Sequence, residues 1–160
     1  MRSPVVVLDT NVAASGLSGL HRVPRLGFDA ASVVCLEAAR AGYVALRVSE
    51  PLLTELERVL EYLAFARSPR IVRQYMRFYR RNSRIVRTPG TLRVLTRDPD
   101  DNAVLECAVV GRADYLVTWN LKDFREADPE APADAPMRYR GVSIITPVTF
   151  VERLALEHGY

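Results

Sequence analysis

The sequence predicts an α/β fold in which a central, mainly parallel sheet is covered by helices on both faces, three layers in all. Short apolar runs alternate with stretches of helical periodicity in the order β-loop-α-β-α-α-(β)-α-β-loop-β-α, the pattern of such a sheet. Two of the apolar runs also end abruptly in polar groups. Val5-Val6-Val7-Leu8 delivers Asp9, Thr10 and Asn11, and Ala113-Asp114-Tyr115-Leu116-Val117 delivers Thr118, Asn120 and Asp123. In open parallel sheets the crevice beyond the carboxyl ends of the strands is where ligands bind.

At 160 residues the chain is read as a single domain, residues 1–160, long enough to bury a core. Val5–Leu8, with three β-branched residues, is a short strand buried on both faces. Asp9 at its tip could hold a metal, or Asp9 or Thr10 could simply cap the following turn. Ala13 to Phe28 contains Gly16, Gly19, Pro24 and Gly27 and is expected to be a loop. A helix capped by Asp29 or Ser32 follows and ends at Gly42; Tyr43–Val48 is a second strand.

Ser49-Glu50-Pro51 opens the next helix, a cap residue followed by Pro in the first turn. Leu52, Leu56, Val59, Leu60 and Leu63 share one face of it. Glu55 and Glu57 fall at opposite edges of that face, so either could reach into a cleft, and periodicity alone leaves both open. Pro69 starts another helix, Arg70 to about Arg84. Ser83–Arg87 is a short strand ending at Thr88-Pro89-Gly90.

Arg97-Asp98-Pro99-Asp100-Asp101-Asn102 is a helix start in which acids favour the helix dipole, a capping role assigned to Asp98 and Asp100. Asp101 differs. Val104, Leu105 and Ala108 lie at i+3, i+4 and i+7 from it, which centres it on the stripe facing the core. An inward carboxylate is costly unless it is paired or coordinates a cation. After the strand at 113–118, Arg125–Gly141 is expected to be an exposed loop. Val142–Ile145 is the last strand, and Pro147 opens a final helix that ends at Gly159.

Charge is unevenly spread. The net charge is +3, Lys122 is the only lysine among 22 basic residues, and Arg67 to Arg97 holds ten Arg and no acid. Arg70, Arg73, Arg77, Arg80, Arg81 and Arg84 fall within an arc of roughly 100° on a helix. Such a stripe repels itself and lacks acidic i,i+4 partners; it is either a solvated face or a contact for a polyanion or an acidic protein. Cys35 and Cys107 have no partner at metal-ligand spacing and are expected to be buried free thiols. Only His21 and His158 are histidines, which argues against chemistry by paired histidines. No apolar run approaches a membrane span or a secretory signal, so the expected location is cytoplasmic.

If the strand termini share one rim, Asp9, Asp101, Asn120 and one of Glu55 or Glu57 converge. Clustered carboxylates repel one another and call for a cation. With oxygen ligands alone that cation is Mg²⁺ or Mn²⁺, which activates water and steadies an in-line phosphoryl displacement. A basic groove nearby makes the substrate a nucleic acid.

The chain resembles PIN domains, above all the VapC-like toxin components of bacterial type II toxin–antitoxin pairs. The likeness runs end to end: Leu-Asp-Thr-Asn at 8–11, Ser-Glu-Pro-Leu-Leu-Thr-Glu-Leu at 49–56, Asp-Pro-Asp-Asp-Asn at 98–102, Ala-Asp-Tyr-Leu-Val-Thr-Trp-Asn at 113–120, then Asp123-Phe124. It selects Glu55 over Glu57 and implies that Asp9, Glu55 and Asp101 bind the metal, with Asn120 in the place of the family's fourth acid. Many members carry Asp there; an amide cannot supply that charge, and Asp123 is the substitute at hand. Thr10, Asn11 and Thr118 are expected to orient the ligands. The resemblance further implies a ribonuclease, often a dimer restrained by a small antitoxin. A PIN scaffold that binds without cutting is the competing reading. A phosphoryl-accepting receiver domain would need a Lys after a late strand, and Lys122 is in the wrong place.

Overall fold

The computed structural model describes residues 2–20, 30–63 and 69–160. Within them the elements are β1 (Val5–Leu8), α1 (Thr10–Leu20), α2 (Ala30–Arg40), β2 (Ala45–Val48), α3 (Glu50–Leu63) and α4 (Pro69–Arg81). These are followed by β3 (Ser83–Ile85), α5 (Asp101–Val110), β4 (Tyr115–Val117), a 3₁₀ segment (Leu121–Ala127), β5 (Met137–Tyr139), β6 (Val142–Ile145) and α6 (Pro147–His158).

The sheet runs β3-β2-β1-β4-β6-β5, parallel throughout except for the antiparallel β5–β6 edge. Val6, Val7 and Leu8 of the central strand are buried, as their unbroken apolar run requires of a strand covered on both faces. Tyr115, in register with Val6, packs against Phe150 of α6 on one face. On the other, Gly111 at the end of α5 lies against Arg47 of β2, the residue in register with Val7. This is the expected three-layer α/β/α arrangement. From β1 the chain builds outward through β2 to β3, then returns through α5 to place β4 on the opposite side of β1. The order therefore reverses between β1 and β4, and the ligand crevice of such a sheet opens at that reversal.

The structure corrects four expectations. Thr10–Leu20 is a helix, not the first part of a loop. Gly16 is there for packing: a Cβ at this position would lie 2.7 Å from the Ser32 carbonyl oxygen and 2.8 Å from Leu36, so only Gly lets α1 and α2 approach so closely. The remainder of that expected loop, with His21, and the alternative cap Asp29 lie outside the described residues. Ser32 does not cap α2; it is buried within it, and its hydroxyl accepts a hydrogen bond from the Trp119 indole at 3.0 Å. The 125–141 stretch is not one open loop, since it holds the end of the 3₁₀ segment and β5. Arg140 and Gly141, at φ 47° and 83°, make the two-residue turn that joins β5 to β6, the left-handed pair that matches the strand twist. Finally, α4 ends at Arg81, so Arg84 leaves the arginine stripe and sits on β3. Cys35 and Cys107 are both buried, and no disulfide joins them. Among the described residues no helix is long and apolar enough to cross a membrane.

Candidate metal centre

Asp9 is the single residue between β1 and α1. Its N–H donates to the Val117 carbonyl (2.9 Å), extending the β1–β4 ladder, and its carbonyl accepts from Val12 and Ala13 (3.0 and 3.1 Å), starting α1. Its carboxylate thus stands at a helix N-terminus, where the dipole favours an anion. Oδ1 accepts from the Thr10 N–H (2.8 Å), and Oδ2 accepts from the Thr118 hydroxyl (2.7 Å) and the Asn11 amide (3.4 Å). The helix-start role and a place in the crevice therefore coexist in one side chain.

Glu55 lies on the half-buried edge of α3 and accepts from the Thr10 hydroxyl at 2.7 Å, whereas Glu57 is exposed. Thr10 thus links the two acids, holding Asp9 through its amide and Glu55 through its side chain. Thr118 accepts from the Asn120 N–H (3.0 Å) while donating to Asp9, and Asn11 accepts from the Trp119 N–H (3.4 Å). The three hydroxyl and amide residues singled out in the sequence all touch the site.

Asp98, Asp101 and Asp123 form a tighter group, with one carboxylate oxygen from each lying within 4.8 Å of the others. Asp101 joins the two groups. Burial, followed by the charges of Asp9, Asp98, Asp123 and Glu55, pushes its carboxyl up to about 7. Asp9 is raised too, by burial first; the Thr118 and Thr10 hydrogen bonds oppose this, and the charges of Glu55 and Asp123 add to it. Asp9 and Asp101 are thus both held toward their protonated forms, by burial first and by the neighbouring carboxylates after it. The donor set is all oxygen, hard and multiply charged, and it fits Mg²⁺ or Mn²⁺.

The capping role expected for Asp98 is not what the structure shows. α5 starts at Asp101 with Asp100 at its N-cap, and Asp100 makes no side-chain cap bond. The backbone itself closes the entry: Asp101, Asn102 and Ala103 donate to the carbonyls of Asp98, Pro99 and Asp100 at 3.1, 3.1 and 3.2 Å. Asp98 is free to join Asp101 and Asp123. Asn120 is exposed, and among the described residues its side chain makes no hydrogen bond; its carbonyl accepts from the Asp123 N–H at 3.0 Å to begin the 3₁₀ segment. That tight turn carries Asp123, rather than the Asn120 side chain, to the other carboxylates.

Three residues with no sequence-level role hold the Asp98 strap in place. Buried Asn102 accepts from the Val94 and Leu95 N–H groups (2.9 and 2.8 Å) and donates to the Leu95 and Pro99 carbonyls (2.8 and 2.9 Å). Buried Glu106 accepts from the Thr91 N–H at 3.0 Å. Glu126, beyond Asp123, accepts from the Thr96 and Arg97 N–H groups at 3.0 and 2.9 Å and from the Thr96 hydroxyl, which lowers its pKa. Asn102 and Glu106 were discoverable as polar residues on a core-facing helix; Glu126 carries no such signal. A cleft of about 400 Å³ opens beside the acids, walled by Glu55, Arg58 and Asp100.

The family model described as PIN domain matches residues 5–122, from β1 into the 3₁₀ segment, and so takes in Asp9, Glu55, Asp101 and Asn120. The chain belongs to the PIN-domain family. No curated protein matches it. The PIN domain is a nuclease fold, and a nuclease of this kind uses divalent cations; the acidic residues at the β1–β4 crevice are compatible with holding one.

Proposed function

We propose that this PIN protein is a Mg²⁺- or Mn²⁺-dependent endoribonuclease, acting in the cytoplasm as the toxin of a toxin–antitoxin pair. The observation that supports this most is Asp101, a helix-start carboxylate raised to about 7 amid four others at the sheet's reversal point. Asp9, Glu55, Asp101 and Asp123 would hold the ion, with Asp98 as an added carboxylate. When bound, a divalent cation in such a site activates water and offsets charge at phosphorus. The chain's own residues then do the positioning. Thr118 and the Thr10 N–H fix the Asp9 carboxylate, the Thr10 hydroxyl fixes Glu55, and the backbone bond from Asp123 to Asn120 fixes the approach of Asp123. The fourth acidic position is filled by Asn120, and Asp123 supplies the charge the amide lacks.

The exposed arginines of α4, Arg70, Arg73, Arg77, Arg80 and Arg81, form the face for an anionic partner, either RNA phosphates or an acidic segment of the antitoxin. Arg80 already pairs with Glu50 of α3 at 3.3 Å, an exposed contact of little energetic weight. In this reading the active form is a homodimer.

The test is cleavage of RNA by purified protein in a Mn²⁺ titration. Asp9→Asn and Asp101→Asn should each reduce cleavage to background, and Thr118→Val should cost about 10–100-fold because it only orients Asp9. Undiminished cleavage by both folded Asn variants would sink the assignment. RNA binding with no cleavage at any Mn²⁺ concentration would identify a binding module instead.

A further inference from the structure

Five arginines converge on a cavity of about 650 Å³ away from the carboxylates. They come from five parts of the chain: Arg2 before β1, Arg47 on β2, Arg84 on β3, Arg87 just after β3, and Arg112 at the end of α5. No acid lines it. Asp114 comes nearest in the chain, and it is engaged by Arg2 at 2.7 and 3.1 Å and by the Val5 N–H at 2.8 Å.

Arg47 and Arg84 are partners in the β2–β3 register, so both side chains leave the same face of adjacent strands. Like charges placed side by side on a sheet destabilise it. Among the described residues neither Arg47, Arg84, Arg87 nor Arg112 pairs with a carboxylate. The Arg47 guanidinium's hydrogen bond is to its own neighbour's carbonyl, Leu46, at 3.4 Å.

The negative end of α5 favours one cation here. It does not account for five. Arg112 is also held at φ 51°, a left-handed conformation that non-glycine residues rarely adopt, at the lip of the cavity. Four guanidiniums lining one cavity, none of them paired with a carboxylate among the described residues, match the oxygens of phosphate, which each fork can bind through two N–H groups.

We propose that this cavity is a phosphate-binding site distinct from the carboxylate centre, which lies at the other end of β1, about 13 Å away along the strand from Val5 to Asp9. The phosphate comes either from a free polyphosphate-bearing small molecule or from the backbone of a nucleic acid. In the second case the strand would run along the β3 edge. The site does not depend on the nuclease reading, because binding alone reports it.

The experiment measures binding of tripolyphosphate and of a single-stranded oligoribonucleotide to the full chain, with EDTA present. The variants are the parent, Arg47→Gln/Arg84→Gln, and Arg138→Gln/Arg140→Gln as a control with equal loss of charge elsewhere. The expected result is binding by parent and control and at least a tenfold loss in the Arg47/Arg84 variant. A loss for tripolyphosphate with RNA unchanged identifies a free phosphate ligand. A loss for RNA, with a shallower salt dependence, identifies a backbone contact. Unchanged binding of both probes by the folded Arg47/Arg84 variant, or no binding of either probe by the parent, overturns the proposal.

Discussion

At Asp101, burial and four neighbouring carboxylates act in the same direction, and the metal-free chain bears the cost. The unfolded carboxyl titrates near 3.8 and the folded one near 7. Between those values the folded chain keeps a proton that the unfolded chain has released, so the Asp101 contribution to stability is full below about 4 and is lost as pH rises through about 7. Asp9 shifts the same way and adds to the trend. Thermal unfolding in EDTA should therefore show a higher Tm at pH 5.5 than at pH 8. Asp101→Asn should raise Tm at pH 8 and flatten the slope while abolishing cleavage, the usual opposition of stability and function at a charged site. A wild-type Tm that climbs from pH 5.5 to 8 would contradict the crowding of these acids.

α5 and the strap before it form the element on which the site depends most. Asn102 makes four hydrogen bonds from a buried position to the backbone of residues 94–99, and no apolar residue can replace them. Asn102→Ala leaves two N–H groups without their acceptor and should cost about 2–4 kcal/mol, read from urea unfolding. Asn102→Asp keeps both acceptor bonds, loses both donor bonds and should fall between the two. An Ala variant as stable as the parent would mean that the strap is held by Glu106 and Glu126 alone. This polar clamp holds the backbone on either side of Asp98, which stands beside Asp101 and Asp123.

Across the molecule, charge is segregated. Five carboxylates gather at the carboxyl end of β1, while groups of arginines lie on α4 and around the β2–β3 edge. A chain arranged in this way should be stabilised by a divalent cation through mass action. Above saturation of the site each tenfold increase in Mn²⁺ should add roughly 1.4 kcal/mol, seen as a log-linear rise in Tm that EDTA reverses. Asp9→Asn should lose that rise. A parent Tm indifferent to millimolar Mn²⁺ and Mg²⁺ would remove the metal from the account.

Much of this was legible in the order of residue types. Val5–Leu8 and Tyr115–Val117 are apolar for their whole length because both faces of these central strands are covered, and that shows without coordinates. Asp101 was readable as inward-facing because helical spacing ties it to Val104, Leu105 and Ala108. What the tertiary structure alone decided depends on partners distant in the chain. Gly16 looks like a helix breaker until the Ser32 carbonyl is seen against it, and Asp98 looks like a cap until the backbone is seen closing the helix start. Asp123 is brought to the carboxylates by a 3₁₀ turn that no periodicity announces, and Arg84 is set beside Arg47 by strand register. Local pattern determines what a segment can become, because it acts through neighbours along the chain; which acids and which arginines meet is decided by contacts between residues far apart in sequence.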